Sequence, residues 1–246
     1  MTKSGKLYVV GIGPGSYEDM TIRAVKALEK SEVIVGYTVY IDLIKEHFPG
    51  KEMISTPMRR EQERCQLAID EAKKGKAVAM VCSGDSGVYG MSGLILELAR
   101  SEEGLEMEII PGVTAALSGG AVLGAPLGHD FAVISLSDLL TPMGLIEKRL
   151  RASAQADMII CLYNPSSRKR ADYLKKACDI LMEYKSRSTV CGLVKNIGRK
   201  EEEMAVMTLE SLRDTQTDMF TTVFIGNSMT KLINGRMVTP RGYKNV

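Results

Sequence analysis

Three short segments concentrate residues that can offer backbone groups to a ligand. They are Gly11-Ile12-Gly13-Pro14-Gly15, Ser83-Gly84-Asp85-Ser86-Gly87-Val88-Tyr89-Gly90 and Pro111-Gly112-Val113-Thr114-Ala115-Ala116. A glycine loop between a strand and a helix presents N–H groups to an anion or a nucleotide. The first loop departs from both common nucleotide signatures. A P-loop closes with Gly-Lys-Ser/Thr, whereas Gly15 is followed by Ser16-Tyr17. A dinucleotide fold needs G-x-G-x-x-G and an acidic residue after the second strand to hold a ribose. Here Pro14 interrupts the glycines, and Val33-Ile34-Val35 runs into Gly36-Tyr37 with Glu32 ahead of the strand. In the second loop, Asp85 suits a ribose or an amino group, or equally an Asx turn opening the next helix. The small residues of the third loop admit a flat ligand, although over Ala116 to Ala121 helix packing is the better reading.

Other residues narrow the chemistry. Cys65, Cys82, Cys161, Cys178 and Cys191 are odd in number and form no C-x-x-C pair. That argues against a disulfide framework and a structural zinc site, and no metal is expected. Cys82, Cys161 and Cys191 lie in apolar runs and read as buried thiols. Arg59, Arg60 and Arg64 form one basic cluster after Pro57, and Arg168, Lys169 and Arg170 form another after Pro165. Both follow strand ends and suit a substrate carrying carboxylates, or a solvated face. His129 beside Asp130 offers a general acid or base, or a capped turn with a structural histidine.

These residues need elements to position them. Leu7–Val10, Val33–Val35, Ala77–Cys82 and Met107–Ile110 read as strands, the third apolar enough to be buried on both faces. Ile22, Val25 and Leu28 recur at helical spacing behind Thr21, a plausible N-cap. Further helices are expected over 61–74, stopped by Gly75, from Gly90 to about Arg100, and over 113–122. In the second half, strands are expected at 131–136, 158–162, 189–194, 204–208 and 221–225. Thr141-Pro142 signals a helix start, and 167–185 reads as helical. Strand–helix alternation gives an α/β class. Gly, Pro, Ser and Asp accumulate over 124–137, which places the domain break there, with domains at 1–128 and 129–246.

The chain has 246 residues, 45% hydrophobic and 25% charged, with a formal net charge of +2. Nothing in that balance calls for nucleic acid or a membrane. No apolar run reaches membrane length and the first residues hold no signal-peptide core, so the cytoplasm is the expected compartment.

In their order, these loops resemble the tetrapyrrole (corrin/porphyrin) methylase family. Tyr8-Val9-Val10 with the first loop and Met20-Thr21, then Ser83 to Gly90, then Pro111 to Ala116 look like its three signatures. Gly128 to Asp138, Leu162 to Arg168 and Met237-Val238-Thr239-Pro240-Arg241-Gly242-Tyr243 resemble the branch acting at C17 of precorrin-3B or cobalt-precorrin-3 in cobalamin synthesis. The resemblance implies two α/β domains with the active site in the cleft between them, a homodimer, S-adenosylmethionine as donor, and methylation with ring contraction. Carried over by position, the cofactor contacts are Pro14, Ser83, Gly84, Asp85, Val88, Tyr89, Thr114, Ala115, Tyr163, Asn164 and Asn196. Gly13, Arg59, Arg60 and Arg168 fall on the substrate side. Ring contraction needs proton transfers, for which His129, Asp130 and Thr21 are the candidates. Many relatives carry proline where Ser86 stands, which implies a slightly looser loop. The rival readings are another tetrapyrrole methylase, such as a uroporphyrinogen III methyltransferase, a nucleotide-binding oxidoreductase, and a non-catalytic binding module.

Overall fold

Strands without a polar face end up inside a sheet covered on both sides. The computed structural model describes residues 5–167 and 171–244. Its chain forms two compact units, Met1–Thr114 and Ala115–Val246. The first unit runs β1 (Lys6–Gly11), α1 (Ile22–Lys30), β2 (Val33–Tyr37), α2 (Thr38–Ile44), β3 (Glu52–Thr56), α3 (Glu61–Lys73), β4 (Ala77–Cys82), α4 (Ser92–Leu98) and β5 (Glu106–Ile110). All five strands are parallel, in the order β3-β2-β4-β1-β5. Residues alternate between two cores. Leu7, Val9, Val33, Val35, Val78 and Met80 pack against α3 and α4. Tyr8, Val10, Ile34, Ala79 and Val81 pack against α1 and α2.

Thr21 caps α1, its hydroxyl accepting from Ala24 N at 3.1 Å. The buried stripe is Ala24, Ala27 and Leu28, rotated from the expected Ile22-Val25-Leu28, and Ile22 is 74% exposed. Helix α3 ends as expected. Gly75, at φ +86°, donates to Ala72 O, a left-handed stop that glycine takes without strain.

The second unit runs α5 (Ala115–Leu123), β6 (Gly124–Ala125), β7 (Phe131–Ser135), α6 (Met143–Gln155), β8 (Ile159–Tyr163), α7 (Tyr173–Leu181), β9 (Val190–Lys195), β10 (Glu203–Thr208), α8 (Leu209–Arg213), β11 (Thr221–Ile225), β12 (Lys231–Ile233) and β13 (Arg236–Val238). Its main sheet has the order β10-β9-β11-β8-β7, with only β7 and β8 parallel. Helices α6, α7 and α8 cover one face. Helix α5 covers the other, through Ala116 and Leu123 against Cys161, Val194 and Phe224. A Cβ on Gly119 would lie 2.9 Å from the Phe224 ring, and one on Gly192 would lie 2.7 Å from Leu123. The small residues of α5 therefore serve packing, as expected, and they tie the helix to the second unit. The compact division thus falls at Thr114/Ala115, ahead of the break expected at 128/129. The turn residues of 124–137 instead serve β6, which pairs with β13 in a small sheet ordered β12-β13-β6.

Two helices differ from expectation. Pro142 is the N-cap of α6 and makes no side-chain cap bond, so the helix starts one residue beyond Pro142 rather than at it. Helix α7 covers Tyr173–Leu181, well inside the expected 167–185. Among the described residues, no helix is long and apolar enough to cross a membrane. All five cysteines are buried and free, Cys65 and Cys178 included.

Candidate functional site

In the order β4-β1-β5, the three glycine loops leave the carboxyl ends of three adjacent strands, where open α/β sheets hold ligands. The loops are joined backbone to backbone. Gly13 N donates to Gly84 O at 3.1 Å, and Gly84 N donates to Gly13 O at 2.7 Å. A Cβ on Gly11 would sit 2.6 Å from Gly112 N and 2.7 Å from Gly84 O. A Cβ on Gly112 would fall inside the Gly84 carbonyl. Gly11, Gly84 and Gly112 are required because three backbones meet at one point.

Asp85 fixes this junction. Its Oδ1 accepts from Gly87 N at 2.8 Å and Val88 N at 3.1 Å, and its Oδ2 accepts from Gly112 N at 2.9 Å. Asp85 thus forms the Asx turn, and its carboxylate also reaches the third loop. Ser86 is buried and its hydroxyl donates to Ile110 O at 3.0 Å. It therefore ties the second loop to the end of β5, where a looser loop was expected. Val88 and Tyr89 stand exposed beyond this anchor, Tyr89 at φ +53°. A left-handed conformation in a bulky residue is strained. Pro14 is buried, while Ser83 and Thr114 are half-buried. Thr21 donates its hydroxyl proton to Pro111 O at 3.3 Å while capping α1, so that proton is already committed.

The basic cluster after Pro57 divides. Arg64 is buried: its guanidinium donates to Thr56 Oγ1 at 2.8 Å and Pro57 O at 3.0 Å and lies 5.7 Å from the Tyr37 ring centre. Arg59, at φ +67°, and Arg60 are exposed, and Arg60 pairs with Glu63 at 3.3 Å. Arg64 is thus a structural clamp under the turn carrying the other two. Its four-residue spacing to Ala68 and on to Ala72, along the buried face of α3, was the available signal. Arg168 lies outside the described residues.

In the second unit, Tyr163 ends β8, and its hydroxyl accepts from Ala116 N at 2.7 Å. Asn164, at φ +52°, donates to Ser135 Oγ at 3.0 Å. Asn196, at φ +53°, follows β9 and donates to Glu201 O at 3.3 Å. Ala115 opens α5. His129 and Asp130 lie elsewhere. They precede β7, whose parallel register pairs Phe131 with Ile159 and Ser135 with Tyr163. They sit at the amino end of the β7–β8 pair, beyond a strand's length from Asn164, on the order of 20 Å at about 3.3 Å per residue.

The cysteines are inert by environment. Burial pushes the thiols of Cys65, Cys161 and Cys178 up to about 12 and that of Cys82 up to about 11, and moves Cys191 in the same direction. The thiolate is the nucleophile, so none is poised for covalent catalysis.

Residues 6–213 match the family model of Tetrapyrrole (Corrin/Porphyrin) Methylases. A probable cobalt-factor III C(17)-methyltransferase of Salmonella typhimurium is 49% identical, across 96% of this chain and 99% of that protein. The precorrin-3B C(17)-methyltransferase of Sinorhizobium sp is 38% identical, across 98% of each. Among solved structures, the methyltransferase CobJ superposes with a TM-score of 0.89 at 35% identity, across 96% of this chain and 100% of that one.

Proposed function

The chain belongs to the tetrapyrrole (corrin/porphyrin) methylases, and we propose on that premise that it takes cobalt-factor III in preference to metal-free precorrin-3B, with S-adenosylmethionine as donor. It is a methyltransferase acting at C17 of the macrocycle in cobalamin synthesis. The observation that carries the preference is the higher identity, at near-complete coverage of both chains, to the relative named for cobalt-factor III.

The glycine-loop junction fits this donor. The three loops contain no lysine or arginine, which suits an uncharged adenosine and an amino-acid tail better than a polyphosphate. When bound, S-adenosylmethionine supplies a methyl group already activated by its sulfonium charge. The chain's task is then orientation and water exclusion. Asp85 holds the second and third loops in register through three N–H bonds, and the exposed side chains of Val88 and Tyr89 beyond it receive the ligand. Arg59 and Arg60, raised on the Arg64-clamped turn after β3, receive the substrate's carboxylates. Ring contraction belongs to the same proposal. So does a cytoplasmic homodimer, supported by the family resemblance and testable by sedimentation.

The test has two parts. Purified protein is titrated calorimetrically with S-adenosylhomocysteine, then assayed with each macrocycle. Saturable binding, with kcat/KM at least tenfold higher for cobalt-factor III, is the expected result. Folded protein that binds no S-adenosylhomocysteine would sink the donor assignment, and a preference for precorrin-3B would sink the substrate assignment.

A further inference from the structure

Two sequence segments lie apart from the glycine-loop junction: Gly128-His129-Asp130-Phe131 and Thr239-Pro240-Arg241-Gly242-Tyr243. The second unit brings them together. Thr239 N donates to Ala125 O at 3.0 Å, Thr239 Oγ1 donates to Pro126 O at 2.6 Å, and Arg241 Nη1 donates to Gly128 O at 3.0 Å. The late segment is thereby stitched alongside the approach to β7.

Between them lies a pocket of about 580 Å³, lined by His129, Asp130, Phe131, Ala156, Met158 and Arg241. That volume falls within the usual range for small-molecule sites, and the lining has their usual make-up, an apolar wall with a few polar groups. Phe131, Ala156 and Met158 form the wall. His129 Nε2 is buried with no hydrogen-bond partner among the described residues. Buried polar groups are nearly always satisfied, so an orphaned ring nitrogen at a pocket wall calls for an occupant. Seating an occupant on that nitrogen requires the ring to turn about its Cβ–Cγ bond. No ion pair joins Asp130 to Arg241 among the described residues, so the guanidinium keeps donors beyond the one given to Gly128.

We propose that this pocket binds a carboxylate carried on an apolar body, with the carboxylate seated on Arg241 and His129 and the body against Phe131 and Met158. A guanidinium matches a carboxylate in shape and charge. Asp130 adds a negative charge to the lining, which limits the pocket to a singly charged group and disfavours a dianion such as phosphate. Two sources carry this chemistry: a peripheral acid arm of a tetrapyrrole, and a free small organic acid.

The chain's two histidines make the test direct. His47, in the first unit, stacks on Tyr17 at 4.7 Å between ring centres and serves as an internal reference. The imidazole Cε1–H region of the ¹H–¹³C spectrum therefore holds two signals, assigned by the loss of one in His129→Gln. The full chain is titrated at fixed pH with phenylacetate and, separately, with the tetracarboxylate coproporphyrin III. The His129 signal should shift saturably, with His47 still during the phenylacetate titration. Arg241→Gln should weaken the binding at least tenfold, and Asp130→Asn should tighten it two- to fivefold. Wild-type resistance of Cys161, Cys178 and Cys191 to alkylation shows that the second unit of both variants is folded. Saturation by phenylacetate assigns the site to free organic acids, and saturation by the porphyrin alone assigns it to a macrocycle arm. No saturable shift with either probe, or equal affinity in Arg241→Gln, would overturn the proposal.

Discussion

Asp85 shows how one carboxylate can hold two loops together. Both oxygens accept backbone N–H groups, two in its own loop and one at Gly112. Hydrogen bonds to a charged acceptor are each worth about 1.5–3 kcal/mol, and leaving donors unmet adds to the loss. Asp85→Ala should therefore lower stability by about 2–4 kcal/mol, since the half-exposed site lets water recover part of the three bonds. The affinity for S-adenosylhomocysteine should fall at least tenfold. Asp85→Asn retains one acceptor oxygen and should fall between. Denaturant titration and calorimetry on the three proteins check this, and wild-type affinity in the alanine variant would release Asp85 from the site. The sequence places Asp85 at a strand's carboxyl end but does not show where it points. The partner that decides this, Gly112, lies 27 positions on and has no side chain to advertise the contact. Ser86 is a similar case. Its hydroxyl meets a carbonyl at the end of another strand, and no local pattern encodes that.

At the scale of elements, legibility follows the range of the interactions. β4 is legible because a strand central to a parallel sheet needs apolar residues on both faces, and Ala77 to Cys82 are apolar throughout. Helix α3 is legible through its period and the Gly75 stop. The strands β6, β12 and β13 are not, because each has only two or three residues, and β6 finds β13 more than a hundred positions away. The affiliation of α5 is hidden for the same reason: its small residues fit rings and methyl groups of β9 and β11, which lie much later in the chain. The glycine junction separates these two kinds of information by experiment. Gly112→Ala forces a methyl group into the Gly84 carbonyl and should cost more than about 2 kcal/mol, the range for a steric fault that backbone must absorb. It should also abolish S-adenosylhomocysteine binding. Gly144, inside α6, meets nothing within 4 Å of an added Cβ. Gly144→Ala should stabilise by about 0.5–1 kcal/mol, from reduced unfolded-state entropy and better helix propensity, and leave binding unchanged. Equal effects from the two substitutions would mean that the meeting of three backbones does not constrain Gly112.

For the whole molecule, the cysteines report on the two units separately. Cys65 and Cys82 lie in the first unit and Cys161, Cys178 and Cys191 in the second, all buried. Since burial keeps these thiols protonated, an alkylating reagent reaches them only when the surrounding unit opens. A ligand that binds only the folded form suppresses opening by RT ln(1 + [L]/Kd), about 2.7 kcal/mol at a hundredfold excess over Kd, or roughly a hundredfold in rate. If the glycine loops hold the donor, saturating S-adenosylhomocysteine should slow labelling of Cys65 and Cys82 by roughly that factor. Cys161, Cys178 and Cys191 should be slowed less, in proportion to how far opening of the second unit requires opening of the first. Pulsed alkylation followed by peptide mass spectrometry measures all five rates in one sample. Equal protection at every cysteine would mean that the chain opens in one cooperative step despite its two units. Protection confined to the second unit would move the donor away from the glycine junction, whatever its fit.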